Sequence, residues 1–251
     1  MKIVNQEEET SLSAQRFKVA VVQAAPVVFD RERTLERVDI LTADAARKGA
    51  RLVLFPEAFV SAYPRGLDFG AVIGSRSEEG REDFRRYWES SVDVPGPAVD
   101  ALSRTARTHG VHLVIGVVER DRGTLYCSVL FFAPDGVYLG KHRKVMPTAS
   151  ERLVWGFGDG STMPVFDTPL GNIGAVICWE NYLPLMRAAM YAKGLRFIAR
   201  QRWMPVIPGS LPCATSRLRA GALCYRATSS TSGATSRPII VRGLVTIRMQ
   251  F

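Results

Sequence analysis

The first third of the chain alternates short apolar runs with an amphipathic segment, and this order most constrains the fold. Residues 17–23 (FKVAVVQ) and 51–56 (RLVLFP) are rich in β-branched and aromatic side chains, which predicts two buried strands. Between them, residues 30–48 predict a helix with Asp30 as its N-cap and Gly49 at its C′ position. Strands that alternate with helices are typical of layered α/β proteins.

The middle of the chain favours hairpins instead. Residues 62–96 are polar and aromatic, and they predict short helical pieces at most. Further strands are predicted at 111–118, 124–132, 137–140, 164–168 and 173–178, and further helices at 97–110 and 184–193. The combination predicts an α/β or α+β layered sandwich with a mixed sheet, without internal repeats.

The composition excludes several classes of protein. With 47% hydrophobic and 23% charged residues, the chain is neither disordered nor collagen-like. Apolar runs fall short of the roughly 20 residues that span a bilayer, so we expect no membrane partner. Residues 1–10 carry three glutamates and lack the apolar core of a secretory signal. Four cysteines in 251 residues indicate thiols, and we expect a cytoplasmic enzyme.

The net charge of +9 comes entirely from the C-terminal part. The first 180 residues hold 22 basic and 24 acidic residues, a balance of −2, whereas the last 71 hold 11 basic residues and no acid. A basic chain suggests nucleic-acid binding. The tail aromatics are not spaced as a stacking platform, however, so we expect no nucleic-acid partner.

Cys178 is the most informative single residue. It ends the apolar run AVIC and precedes a polar turn (WEN) and a predicted helix. Backbone N–H groups and a helix dipole at such a junction favour the thiolate, which is the nucleophilic form of cysteine. The alternative is a buried structural cysteine.

Three ionisable residues accompany this cysteine. Glu57 follows a predicted strand in FPEAF, where apolar neighbours are expected to raise its pKa toward the range of a general base. Lys144 lies in KHRKVMPT, where it can stabilise negative charge or belong to a solvated basic run. Glu151 follows in PTASER, and its alternative is a surface capping glutamate.

Taken together and in this order, FPEAF, HRKVMPTASERLVWGFGDGS and CWENYLPLMR resemble the carbon–nitrogen hydrolase (nitrilase) superfamily. VSAYPRG, VWGFGDGST and CWEN point to its nitrilase branch, and residues 17–194 resemble plant cyanoalanine-type nitrilases. The resemblance implies a four-layer α-β-β-α sandwich. It also implies a Glu-Lys-Cys triad that maps onto Glu57, Lys144 and Cys178, with Glu151 as a second glutamate.

The resemblance further implies a reaction on a small-molecule nitrile, without a metal or another cofactor. Glu57 acts as general base, Cys178 forms a covalent thioimidate, and Lys144 stabilises the intermediates. Tyr63 and Trp179 are expected to line the pocket. The family also implies self-association, which is doubtful for this chain.

Several alternatives stay open. A papain-like pair of His142 and Cys178 lacks any matching motif, and His109 and His112 lack the further ligands that zinc requires. GFGDG at residues 156–160 lacks the context of a phosphate loop. An amidase of the same superfamily and a catalytically dead, truncated isoform are the functional alternatives.

The resemblance ends near Gly194. We therefore expect a polar tail at residues 1–16, a truncated hydrolase domain at 17–194, and a basic, poorly ordered tail at 195–251. The absence of acids suggests a frame shift or an altered splice junction, which translation of the other two reading frames would test. Failure to recover an acid-containing, strand-like continuation would reject it. An incomplete sheet is expected to expose apolar faces and to lower solubility and activity.

Overall fold

A computed structural model describes residues 16–201, 223–227 and 244–248. The polar N-terminal tail and most of the basic tail therefore lie outside the described residues. The strands are β1 Arg16–Val21, β2 Ala50–Leu54, β3 Val92–Asp93, β4 His112–Asp121, β5 Thr124–Phe132, β6 Tyr138–Arg143, β7 Ile173–Ile177, β8 Phe197–Gln201, β9 Leu223–Ala227 and β10 Leu244–Arg248. The α-helices are α1 Arg31–Arg47, α2 Glu78–Ser90, α3 Pro97–His109 and α4 Pro184–Ala192, and short 3-10 helices cover Ala149–Leu153 and Cys178–Tyr182.

The strands form two sheets. The larger one has the order β10-β1-β2-β4-β5-β6, with β3 paired to β4. Its β1, β2 and β4 run parallel, while β4, β5 and β6 pair antiparallel, so the sheet is mixed as predicted. The smaller sheet has the order β7-β8-β9, and its strands are parallel.

The two sheets pack face to face between helical layers. Helices α1 and α3 cover the outer face of the larger sheet, where Leu41 and Leu102 share one apolar cluster with strand residues. The inner faces meet in a second cluster, in which the Phe17 and Phe197 ring centroids lie 5.4 Å apart. Helix α4 covers the smaller sheet through Met190. The result is the expected four-layer α-β-β-α sandwich.

Local signals predicted the ends of two helices correctly. The Asp30 side chain accepts a hydrogen bond of 2.9 Å from the Arg33 N–H and so caps α1. Pro97 occupies the first turn of α3, and Gly110 ends it in the left-handed conformation with φ +61°.

Helix α2 corrects the expectation of short helical pieces within residues 62–96. It is a regular helix of 13 residues, capped by the Ser77 side chain. Its buried residues are only Gly80, Tyr87 and Ser90. The helix is strongly polar, and its apolar residues Phe84, Tyr87 and Trp88 span little more than one turn, so the apolar stripe was too short to indicate a regular helix from the sequence.

Regular structure also continues past Gly194, where the sequence pattern predicted no strand. Strand β8 begins at Phe197 and pairs in parallel with β7, so it lies beside the strand that leads to Cys178. Phe197, Ile198 and Ala199 are all buried. A strand buried on both faces shows a continuous apolar run instead of alternation, and here that run is only three residues long. Strands β9 and β10 then pair with β8 and β1, respectively.

The part of the chain that the structure describes contains neither a membrane-spanning helix nor a metal-binding cluster. None of their helices combines the length and the apolar character that crossing a membrane requires. Within the same residues, no group of three His, Cys, Asp or Glu side chains is arranged to hold a metal ion.

Candidate active site

Glu57 lies in the loop after β2, and strand β4 holds that loop in place through Gly116. The Phe59 N–H donates to the Gly116 carbonyl at 2.8 Å, and the Gly116 N–H donates to the Pro56 carbonyl at 3.2 Å. A Cβ atom at position 116 would lie only 2.6 Å from the Ala58 nitrogen and 2.8 Å from the Glu57 Cα. A residue without a side chain is therefore needed there to admit the backbone that carries Glu57.

Lys144 follows β6 directly and is 1% exposed, which excludes the solvated basic run. Its Nζ donates to Glu57 Oε1 and to Glu151 Oε2, each at 2.7 Å. Burial by itself lowers the pKa of Lys144, but the negative charges around it, of which Glu57 is the largest influence, outweigh burial and hold its pKa well above the usual value. Lys144 is therefore a fixed ammonium between two carboxylates.

Glu151 lies in the 3-10 helix Ala149–Leu153, where it has two tasks at once. Its Oε2 accepts from the Thr148 N–H at 2.6 Å, which completes a capping box, and the same oxygen accepts from Lys144. Its Oε1 accepts from the Tyr63 hydroxyl at 2.6 Å. Burial, and then the hydrogen bond to Glu151, raise the pKa of Tyr63, so the phenol stays protonated and donates. Glu151 is thus a capping glutamate, but its side chain is only 8% exposed, so it is not the surface residue of the alternative interpretation, and it is also a direct partner of Lys144.

Cys178 lies at the end of β7, at the first position of the 3-10 helix Cys178–Tyr182. Its φ of +51° is left-handed, which is strained for a residue other than glycine. The Asn181 side-chain amide donates to the Cys178 carbonyl at 2.8 Å and supports this turn. Cys178 is partly exposed, and a negative charge on its sulfur would raise the pKa of Lys144 further. The structure therefore brings the strand-end thiol, the ammonium and the two carboxylates together.

Aromatic side chains and a second thiol enclose the cluster. The Lys144 Nζ lies 5.7 Å from the centroid of the Trp155 ring, and Trp155 Nε1 donates to the Tyr87 hydroxyl at 3.1 Å. The Cys127 thiol donates to Glu57 Oε1 at 3.7 Å. Burial and then the charge of Glu57 raise the pKa of Cys127 well above its usual value, so it remains a neutral thiol. Tyr87, Cys127 and Gly116 lie outside the motifs quoted above, and Trp155 lies within one of them but was not singled out, because none of the four carries a chemical signature of its own.

The two predicted pocket residues differ in their surroundings. Tyr63 contacts Glu151 and packs edge to face on Trp155, with ring centroids 5.4 Å apart. Trp179 is 50% exposed, and its ring lies against Tyr182 with centroids 4.8 Å apart. Trp179 is therefore an open residue beside the Cys178 turn and does not enclose the cluster.

The histidines are engaged elsewhere. His142 Nε2 lies 2.9 Å from Glu180 Oε2, so the papain-like interpretation, in which this ring serves Cys178 as a base, has no support in the geometry. His109 contacts Asp39 at 2.9 Å. Burial, and then the charge of Arg51, lower the pKa of His112 to about 4. None of these side chains forms a metal-binding group with the others.

The fold and the site define a class of protein: an α-β-β-α sandwich with an acid–lysine cluster beside a strand-end cysteine. Comparison with known proteins identifies the family to which the chain belongs. A profile of the carbon-nitrogen hydrolase family matches residues 18–224. The chain therefore belongs to the carbon-nitrogen hydrolase family. The match runs well past Gly194, where the sequence resemblance was expected to end.

The names of curated relatives indicate the nitrilase branch of the family. Bifunctional nitrilase/nitrile hydratase NIT4B of Nicotiana tabacum is 58% identical over 183 residues, which are 73% of this chain and 53% of that protein. Nitrilase 3 of Arabidopsis thaliana is 56% identical over 178 residues, 71% of this chain and 51% of that protein. The chain thus spans about half the length of the curated relatives it matches.

Solved structures agree on the fold. A mutant of the Nesterenkonia AN1 amidase from the nitrilase superfamily has a TM-score of 0.67 at 20% identity, covering 94% of this chain and 80% of that one. A second mutant of the same amidase, with acrylamide added at its active site cysteine, has a TM-score of 0.67 at 18% identity, covering 85% and 78%. At these identities the likeness concerns the fold alone.

Proposed function

We propose that this protein is a nitrilase, which hydrolyses a small nitrile to a carboxylic acid and ammonia through a covalent bond to Cys178. The observation that carries the proposal is the buried Lys144 ammonium, held at 2.7 Å by both Glu57 and Glu151 beside the Cys178 turn. A buried charge is costly unless it is paired. A protein that keeps three charged groups in its interior next to a strained cysteine therefore resembles a reaction centre more than a structural core.

In the first half of the proposed reaction, Glu57 takes the proton of the Cys178 thiol. The sulfur then attacks the nitrile carbon, and a C–S bond forms while one π bond of the C≡N group breaks. Glu57 passes the proton to the nitrogen, which gives a thioimidate. Lys144 and the backbone N–H of Trp179 stabilise the negative charge that develops on the substrate.

In the second half, Glu57 activates a water molecule. Water adds to the thioimidate carbon, and the tetrahedral intermediate releases ammonia to leave an acyl-thioester. A second water molecule then breaks the C–S bond, so the carboxylic acid leaves and the Cys178 thiol is restored. In this scheme Glu151 orients Lys144 or the departing ammonia, and Tyr63 holds Glu151. Every step uses side chains of this chain.

The names of the relatives support the nitrile as substrate class. Both are called nitrilases, and NIT4B of Nicotiana tabacum is also called a nitrile hydratase. An enzyme of both kinds releases some amide when the tetrahedral intermediate expels sulfur before ammonia. A cyanoalanine-type nitrile is the first substrate to test, because the sequence resemblance implied it.

The test is product analysis on the full chain. Purified protein is incubated with β-cyanoalanine, an aliphatic nitrile and an aromatic nitrile, and with the amide that corresponds to each. Ammonia, carboxylic acid and amide are then quantified. We expect ammonia and acid from at least one nitrile, and loss of both in Cys178→Ala and Glu57→Gln. Glu119→Gln is the matched control, since Glu119 is also buried but bonds to Ser128, Lys141 and Arg143.

Three outcomes would contradict the proposal. Ammonia release from the amides alone would assign the chain to the amidase branch. Ammonia release that persists in Cys178→Ala would show that this thiol is not the nucleophile. A folded protein that releases ammonia from none of the compounds would be a catalytically dead member of the family.

A further inference from the structure

We propose that Glu180 is a positioning residue, which together with His142 fastens the turn that carries Cys178 to the segment that carries Lys144. The inference rests on the proposed function, because it concerns the geometry of that same site. Glu180 lies two residues after Cys178 and is 1% exposed, yet it has no role in the triad. Its partners explain why a carboxylate is buried there.

The Glu180 carboxylate accepts hydrogen bonds from both sides of the site. Its Oε2 accepts from the Ile177 N–H at 2.7 Å, immediately before Cys178. Its Oε1 accepts from the Val145 N–H at 2.7 Å, immediately after Lys144. One side chain thus ties the end of β7 in the smaller sheet to the end of β6 in the larger sheet.

His142 supplies the third bond and the countercharge. Its Nε2 faces Glu180 Oε2 at 2.9 Å, and its Nδ1 contacts the Thr162 carbonyl oxygen. A carbonyl oxygen and an ionised carboxylate only accept hydrogen bonds, so with Glu180 ionised both ring nitrogens donate. The ring is therefore a buried imidazolium. Burial lowers the pKa of His142, but the hydrogen bond and charge of Glu180 outweigh burial and raise it above the usual value.

Glu180 contacts residues before and after Lys144 in the chain, namely His142 and Val145. His142 and Lys144 are two residues apart at the end of β6, so their side chains leave the same face, and Val145 follows directly. Glu180 therefore contacts the residues on either side of the ammonium without contacting the ammonium itself. Movement of the Cys178 turn relative to Lys144 must break at least one of these charge-assisted bonds.

The ion pair of Glu180 and His142 carries no net charge. An effect of the position of Cys178 can therefore be distinguished from an effect of nearby charge. If Glu180 becomes Gln, His142 loses its counterion and becomes neutral in its buried site. The net charge near Cys178 then stays the same, while at least one of the backbone N–H groups loses its acceptor. A change in Cys178 reactivity would therefore report the position of the thiol relative to Lys144.

The experiment measures the alkylation rate of each cysteine against pH, by mass spectrometry after a timed reaction with iodoacetamide. It does not depend on nitrile turnover, so it can fail or succeed independently of the proposed function. In Glu180→Gln we expect Cys178 alkylation at neutral pH to fall about tenfold, with its profile moved to higher pH, because the thiolate loses the ammonium. Where a nitrile is hydrolysed, kcat should fall about 10²-fold with little change in KM, as expected of a misplacement near 1 Å.

Two internal controls make the result decisive. The Cys127 thiol is 1% exposed, so its alkylation reports loosening of the whole fold. Glu119→Gln removes an equally buried carboxylate that bonds on the helix-facing side of the larger sheet, and it should leave Cys178 alkylation within about twofold of wild type.

A second variant guards against a failure of Glu180→Gln to fold. In the double variant Glu180→Gln/His142→Gln both buried charges are removed together, so no carboxylate is left unpaired, and Cys178 alkylation should change as in Glu180→Gln. Wild-type alkylation of Cys178 in both variants would overturn the proposal. So would a rise in Cys127 alkylation in both, because the pair would then support the fold as a whole.

Discussion

Replacement of Gly116 by alanine tests whether backbone packing, and not a charged partner, determines where Glu57 lies. The added Cβ would overlap the Pro56 carbonyl oxygen and would lie 2.6 Å from the Ala58 nitrogen, where ordinary contact begins at 3.4 Å. All of these neighbours are backbone atoms, and relief of the closest overlap, with the Pro56 carbonyl oxygen, requires the loop as a whole to move by about 1 Å. No side chain can rotate away to relieve the overlap.

Two magnitudes follow from that displacement. Overpacking of a close-packed interior costs about 1–3 kcal/mol of unfolding free energy. A shift near 1 Å in a reacting group costs about 10²-fold in rate. We therefore expect Gly116→Ala to lower Tm by several degrees and to lower kcat/KM for the best nitrile about 10²-fold.

The assay combines thermal unfolding with ammonia release, and the chain offers a matched control. Gly123 lies in the turn between β4 and β5, and a Cβ there would meet nothing within 4 Å. Gly123→Ala should therefore retain both Tm and activity. If Gly116→Ala lowered Tm but retained wild-type kcat/KM, the loop would have absorbed the overlap without moving Glu57, and the reasoning would be refuted.

Three further changes have expected outcomes. Lys144→Met leaves two buried carboxylates without their cation, so we expect a loss of about 3–5 kcal/mol in urea unfolding and no detectable ammonia release; full stability would contradict this. Tyr63→Phe removes the hydroxyl donor to Glu151, which should cost about 1.5–3 kcal/mol in the same unfolding assay, and an unchanged midpoint would show that the bond contributes nothing. His112→Gln should flatten the fall of Tm between pH 6.5 and pH 4. Its folded-state pKa of about 4 lies below the usual 6.5, so the unfolded chain binds a proton that the folded chain does not, and an unchanged slope would contradict this.

Helix and strand signals succeeded where the local sequence and the packing agree. Asp30 caps α1 and Gly110 ends α3, because capping depends on a few neighbouring backbone groups that the sequence places directly. Helix α2 and strand β8 were not predicted, because the apolar pattern in each is short. The apolar residues of α2, Phe84, Tyr87 and Trp88, show the helical spacing over little more than one turn of a polar segment, and the buried run of β8 covers only three residues.

The same distinction applies to the residues of the candidate site. Glu57, Lys144, Glu151 and Cys178 were found because each belongs to a motif that resembles a known family. Gly116 was missed, since its significance arises only when β4 packs beside the loop after β2. A contact between residues about sixty positions apart in the chain leaves no trace in either local segment.

The hydrogen bonds of the two glutamates in the proposed site differ. Both oxygens of Glu151 already accept bonds, from the Tyr63 hydroxyl on one side and from Lys144 and the Thr148 N–H on the other. These three hydrogen bonds hold the Glu151 side chain in place. Glu57 is bonded at Oε1 by Lys144 and by a weak thiol donor. Because Lys144 keeps its own proton at its raised pKa, we expect Glu57, and not Lys144, to accept the proton of Cys178 in the proposed reaction.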